Sequence, residues 1–269
     1  MEGVILASSS CDTEKEIICA PENVLELFKF EEAWFSIGPF DWTRTVFLMF
    51  LATGIAMLLL YLGLRGRRIV PTKFGVAIES LVAFVKDDIA KGIIGPQGVR
   101  YTPYLLAVFM LVLVGNLFEV TPLINFPITS SMALPLIISV LTWIIFVWVG
   151  FAKNGISYLT GIIWPRSVPL ALRPLVGLIE LVSTFVLRPI TLAVRLFANM
   201  VAGHLMLTLL LASGIIFIGE FNLRSIIGVP WFVFGLGIFV FEIVVAVLQA
   251  YIITLLSAVY VQTSVNPDH

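Results

Sequence analysis

An arginine in the middle of a long apolar run is the residue that most clearly demands chemistry. In the stretch Pro189-Ile190-Thr191-Leu192-Ala193-Val194-Arg195-Leu196-Phe197-Ala198-Asn199-Met200-Val201-Ala202-Gly203-His204, Arg195 has three apolar residues on either side and no acid within two helical turns. A guanidinium at bilayer depth costs roughly 2.5–3.5 kcal/mol on insertion scales and more in simulation. It stays protonated in proteins, so it attracts or repels charge but does not hand protons on. Such a group needs an anionic partner, and its own helix supplies none nearby. The partner must come from another helix or another chain.

Other polar residues fall within apolar stretches: Glu180, Arg188, Asn199, His204, Glu242 and Gln249. Residues of this kind mark ion pathways or pair with one another. Arg195 and Asn199 are four apart, and Glu242 and Gln249 seven apart, so each pair shares a helix face. If the two helices run antiparallel with Arg195 level with Gln249, His204 lies about 13.5 Å and Glu242 about 10.5 Å toward the connecting loop. The two then share a depth in the outer half of the membrane. Nine residues turn a helix by about 900°, so His204 points away from the Arg195 face. This suggests a division of labour, with Arg195 toward a partner and His204 with Glu242 lining a polar path behind. The alternative is a buried ion pair that only holds the two helices together. Glu180, about 22 Å before Arg195 by helical rise, suits an inner path or a pairing with Arg188 or Arg173. Arg188, beside Pro189, reads as a structural residue that snorkels to the inner surface. Asn116 and Glu119 fall at the outer end of another apolar stretch, where Glu119 either joins a path or is simply solvated.

The sequence contains no G-x-x-x-x-G-K-[ST] phosphate loop and no H-E-x-x-H zinc pattern. No nucleotide site, cofactor or metal site is therefore expected, and the chain itself is expected to be no enzyme.

Composition fixes the class. The 269 residues are 59% hydrophobic and only 12% charged, about half the charge of a soluble domain. Several segments exceed the ~18 apolar residues of a spanning helix. The net charge of −1 says nothing useful about partners, and no nucleic acid is expected among them. Cys11 and Cys19 read as free thiols, with a bridge across their short loop as the alternative. Met1 to Ser10 lacks the basic start and apolar core of a secretory signal.

The elements that must position these residues follow. Residues 1–44 form an acidic tail with nine Asp or Glu against Lys15, Lys29 and Arg44. Val24-Leu25, Leu27-Phe28 and Trp34-Phe35 suggest a short amphipathic piece there. Residues 45–269 form one helical transmembrane domain. Its first span is Thr45 to Leu64, closed by Arg65, Arg67 and Arg68. Over 71–91, Phe74, Ile78, Leu81, Val85 and Ile89 recur at helical spacing among Lys73, Glu79, Lys86, Asp87 and Asp88, which predicts a helix lying on the bilayer. A loop over Gly92 to Gly98 precedes a second span, Tyr104 to Val120, and a third runs from Met132 to Phe151. Leu175 to Ala212 is interrupted only by Pro189, where a kink is expected or else a break into two short helices. At about 1.5 Å per residue it reaches about 57 Å, against a hydrocarbon core of about 30 Å. With Trp231 to Val261 it should form a tilted antiparallel hairpin closed by a loop over Gly214 to Gly228. The expected fold is all-α and polytopic: five spans and a surface helix, the last two spans long, tilted and antiparallel.

Orientation follows from Lys and Arg in the loops. Residues 65–101 carry seven and 152–173 carry three, whereas 121–131 carry none and 214–228 only Arg224. This places the N-terminal tail outside and the C-terminus in the cytoplasm.

Arg195-Leu196-Phe197-Ala198-Asn199-Met200 followed by Gly203-His204 resembles the signature of the subunit a family of rotary F-type ATP synthases. Phe84-Val85-Lys86-Asp87, Tyr101-Thr102-Pro103-Tyr104-Leu105, Asn116-Leu117 and Leu248-Gln249-Ala250-Tyr251-Ile252 resemble further family motifs in the same order. The resemblance implies a proton-translocating stator of a bacterial plasma membrane, forming two offset aqueous half-channels against a rotating c-ring. Arg195 would face each c-subunit carboxylate and keep the half-channels apart. Asn199, His204, Glu242 and Gln249 would line the outer one, with Asn116 and Glu119 as further candidates, and Glu180 the inner one. Implied partners are the c-ring, peripheral-stalk b-type subunits, the whole synthase and membrane lipid. Two rivals are a self-contained secondary transporter, which would show two related halves with broken helices, and a passive ion channel.

Overall fold

The computed structural model describes residues 35–37, 40–65, 72–121, 132–164, 169–170, 172–219 and 225–265. Cys11, Cys19 and all but Phe35 of the amphipathic piece expected from Val24-Leu25, Leu27-Phe28 and Trp34-Phe35 lie outside the described residues. A small antiparallel ribbon of β1 (Phe35–Ile37) and β2 (Phe40–Trp42), in the register Phe35–Trp42 and Ile37–Phe40, comes first. The alternation Phe-Ser-Ile and Phe-Asp-Trp has the period of two that a ribbon requires; it was not read from the sequence. All the remaining regular structure among the described residues is helical.

Among the described residues, five helices are long and apolar enough to cross a membrane: Thr45–Leu64, Pro96–Val120, Ala133–Asn154, Arg173–Gly219 and Ile226–Val265. These are the five expected. The chain divides into two compact units, one of Met1–Leu51, Gly115–Ser131 and Phe197–Leu248, the other of Ala52–Val114, Met132–Leu196 and Gln249–His269.

In the second unit, α1 (Arg44–Leu64) ends beside α2 (Lys73–Ala83): a Cβ on Gly63 would lie 2.6 Å from Ile78. Thr72 caps α2, its Oγ1 accepting from the Gly75 N–H at 3.2 Å, which satisfies a donor with no intrahelical partner. The helix then widens into a π-helical stretch, Phe84–Ile94. Its buried residues Val85, Ile89, Ala90 and Ile94 recur every four to five positions, which suits the wider turn. Of the residues expected on the apolar face, Phe74 is 45% exposed, whereas Ile78, Val85 and Ile89 are buried within the chain. The expected loop over Gly92–Gly98 is shorter, because helix persists to Ile94 and a 3-10 turn, Pro96–Tyr101, follows. Outside the membrane, Asp87 accepts from Lys91, and this hydrogen bond holds its carboxyl below the usual carboxylate range.

The 3-10 turn leads into α3 (Thr102–Val120). Tyr104 donates to Thr142 Oγ1 at 2.6 Å, tying α3 to α4 (Ala133–Asn154). Gly155, at φ 58, turns the chain into α5 (Ser157–Ile163), a short helix not expected from the sequence. Tyr158 of α5 is 2% exposed and occupies the space that a Cβ on Gly150 would need.

Beyond it, α6 (Arg173–Val182), a π turn (Ser183–Leu187) and α7 (Arg188–Gly219) run on without a gap. Pro189 therefore neither breaks the chain nor leaves two short helices. A proline removes one N–H and crowds the preceding turn. Here the turn before it opens, and the Arg188 N–H reaches five residues back to the Ser183 carbonyl.

In the first unit, α7 meets α8 (Ser225–Val265) through glycines. A Cβ on Gly214 would lie 2.7 Å from the Phe232 backbone nitrogen, one on Gly228 2.8 Å from Phe217, and one on Gly235 2.7 Å from Leu211. The partner number falls as the glycine number rises, so the helices are antiparallel. This corrects the loop expected over Gly214–Gly228. Helix continues to Gly219 and resumes by Ser225, because these glycines permit close helix approach rather than ending helices.

Gly214→Val should lower the stability of the detergent-purified protein by about 1–3 kcal/mol, since the added atoms meet backbone that cannot yield. Gly237, with nothing within 4 Å of a Cβ, is the control: Gly237→Ala should leave the melting temperature unchanged or raised. Equal melting of both variants would contradict the close-approach account.

Candidate functional site

Three titratable side chains converge within the first unit. Glu119 is 2% exposed near the end of α3, His204 is 6% exposed on α7 and Glu242 is 6% exposed on α8. His204 Nδ1 lies 3.8 Å from Glu119 Oε1, close enough for charge–charge attraction and too long for a direct hydrogen bond. The Glu242 carboxylate occupies the place a side chain at position 203 would take, since a Cβ on Gly203 would lie 2.5 Å from its Oε1. Gly203 thus works as a cradle, and its place beside His204 in the sequence has a steric reason.

Each helix delivers its member by local rules. Asn116 and Glu119, three apart, share a face of α3, and Asn116 is fully buried. The antiparallel register of α7 and α8 brings Gly203-His204 to the level of Glu242, as the rise arithmetic predicts. The sequence offered Glu242 as the partner of His204; in the structure Glu119 lies beside His204, and Glu242 lies against the neighbouring Gly203. Its alternative as a merely solvated interfacial carboxylate does not hold at 2% exposure. The signal that could have found this was the i, i+3 pairing with Asn116 in an otherwise apolar helix.

The remaining candidates are placed as follows. Arg195 is exposed on α7, and among the described residues no carboxylate lies within 4.0 Å of it. The exposed residues around it, Thr191, Val194 and Ala198, fall at spacings of three and four that define one helix face. Leu192, Leu196, Met200 and His204 are buried. Arg195 and His204 therefore differ in environment as their spacing requires. Asn199 is half-buried. Gln249 is 6% exposed, and its Nε2 finds no hydrogen-bond partner among the described residues. Glu180 is half-buried on α6. Arg188, one of its suggested partners, turns instead to α8, donating to Thr263 Oγ1 at 3.2 Å. No group of three or more His, Cys, Asp or Glu placed to hold a metal ion occurs among the described residues.

The arrangement combines an exposed fixed cation with a buried set of groups that can bind and release protons. Comparison with known proteins gives it a family. The family described as ATP synthase A chain matches residues 46–262. ATP synthase subunit a of Frankia alni is 40% identical over 241 residues, covering 85% of this chain and 80% of the relative. The same subunit of Rhodococcus erythropolis is 36% identical over 86% of this chain and 85% of its own. That of Cereibacter sphaeroides is 33% identical over 95% and 92%. The match takes in the arginine stretch, all five candidate spans but for Thr45 and the last residues of the fifth, and the buried acid–histidine cluster, and the chain belongs to the ATP synthase A chain family.

Proposed function

We propose that this chain is the proton-conducting stator subunit of a rotary F-type ATP synthase in a bacterial plasma membrane. The observation that supports this best is Arg195, a permanent cation on an exposed helix face, with no carboxylate of the described residues near it. Its stable partner is then a carboxylate of another chain, and a c-ring presents one carboxylate after another. The guanidinium keeps the arriving carboxylate ionised by attraction and, as a fixed positive charge, opposes direct proton passage.

The path reading assigns Asn116, Glu119, Asn199, His204, Glu242 and Gln249 to the outer half-channel. Glu119, His204 and Glu242 relay protons through short hops between buried groups. Glu180, on the segment before the π turn, serves the inner half-channel. Residues 1–44 lie outside as a tail, 45–269 form the membrane domain, and the C-terminus is cytoplasmic. The chain works without catalysis of its own, held by b-type stalk subunits and lipid. Each charge crossing 100 mV releases about 2.3 kcal/mol, so several protons must pass per ATP and a leak between the half-channels would dissipate the gradient.

Arg195→Ala should lower proton-driven ATP synthesis by about 100-fold or more, the scale of losing a preorganised charge partner. Synthesis by membrane vesicles containing the assembled variant complex checks this, and coupled synthesis at the wild-type rate would refute the reading. Glu119→Gln keeps the shape and removes the titration; it should slow synthesis by about tenfold or more without loss of assembled complex. An unchanged rate would remove Glu119 from the path.

A further inference from the structure

Arg188 lies seven residues before Arg195, at the point where the helix is least able to set its own orientation. The Pro189 nitrogen donates nothing, and the preceding turn is π-helical with an Arg188-to-Ser183 backbone bond. A turn of that kind takes an extra residue, so the face presented downstream depends on what holds this turn. Two neighbouring helices hold it. From α4, Ser139 Oγ donates to the Pro189 carbonyl. From α8, Tyr260 and Thr263 receive the Arg188 side chain: its Cζ lies 5.3 Å from the Tyr260 ring centre and 6.0 Å from that of Phe146, and its Nη1 donates to Thr263.

The receiving site is built for this purpose. The Phe146 and Tyr260 rings stand 5.8 Å apart at 57° and form a notch, and Phe146 is 1% exposed. Thr263 Oγ1 donates its own proton to the Tyr260 carbonyl at 3.0 Å, which leaves its lone pairs toward the guanidinium. The end of α8 is pinned in turn, with Asn154 Nδ2 donating to the Ser264 carbonyl at 2.9 Å and Tyr158 OH 3.2 Å from Ser264 Oγ. A planar cation stacked on rings and hydrogen-bonded at its rim is held in direction as well as in place.

We infer that Arg188 is a positioning residue for Arg195: seated on Tyr260 and Thr263, it fixes the rotation of the helix that carries the exposed arginine. The inference rests on the proposed role of Arg195. Arg195 is about 10.5 Å further along, so a small rotation at the π turn swings its guanidinium away from the face it occupies.

The test uses the whole synthase in proteoliposomes, with ATP synthesis and passive proton leak both expressed per assembled subunit. Arg188→Gln should lower synthesis about tenfold, the cost of a small misplacement, and raise the leak, with KM for ADP unchanged. Arg188→Lys keeps the charge and loses the planar seat, so it should behave more like Arg188→Gln than like wild type. Thr263→Val removes one hydroxyl and little else; it should act in the same direction by about threefold and supplies the answer if Arg188→Gln does not assemble. Arg188→Gln combined with Arg195→Ala should leak no more than Arg195→Ala alone, because a positioning residue acts only through what it positions. Wild-type synthesis and leak in Arg188→Gln or Thr263→Val, full rescue by lysine, or additive leak in the double variant would overturn the inference. Coupled synthesis in Arg195→Ala would instead sink the role of Arg195, and its loss there with a harmless Arg188→Gln would remove only the positioning.

Discussion

The constraint on which the rest depends is a guanidinium that cannot lose its charge, placed where its own stretch of chain offers no counter-ion. A lysine there would neutralise, since burial readily lowers an ammonium pKa. Arginine does not, so the cost of its position must be offset by something outside the helix. The fold leaves that side open: Thr191, Val194, Arg195 and Ala198 are exposed while Leu192, Leu196 and Met200 are buried. The residues beside Arg195 on this face are small or slender, so a neighbouring helix could approach without meeting bulky side chains.

How far the sequence speaks depends on the range of the forces involved. Spans were legible because hydrophobic length is a sum over twenty residues and tolerates local error; five were read, and the described residues hold five helices of that length and character. The depth shared by Gly203-His204 and Glu242 was legible because helical rise is rigid arithmetic. Glycines were misread. Gly214 and Gly228 look like punctuation in one dimension, and only the partner helix reveals that each marks a place where no Cβ fits. Glu119 was half legible: its type and spacing were visible, but its burial beside His204 is set by a helix distant in sequence. The seat of Arg188 on Tyr260 and Thr263 was invisible for the same reason, since seventy or more residues separate the groups.

Two devices shape the long helices, and they act in opposite directions. Glycines bring α7 and α8 together, so the Glu242 carboxylate reaches the space beside Gly203. The π turn before Pro189 loosens α7 at its start, which gives up rigidity at one turn and keeps the helix continuous. A clean break would have exposed backbone groups that nothing in a bilayer can satisfy. A strictly α-helical passage would have set the proline ring against the preceding turn. Widening by one residue avoids both, and the anchors from Ser139 and Thr263 restore the direction that widening gives away.

The separation of fixed and titratable groups along α7 has an electrostatic reason. A cation beside Glu119 and Glu242 would pair with them and oppose the proton exchange that the proposed path asks of them. Nine residues place His204 about 13.5 Å from the level of Arg195 and on another face, beyond close pairing and buried where Arg195 is exposed. The carboxylates are thus left to a histidine that can itself gain or lose charge. On the proposed reading, a group that must never titrate and groups that must titrate share one helix only because its length and pitch keep them apart.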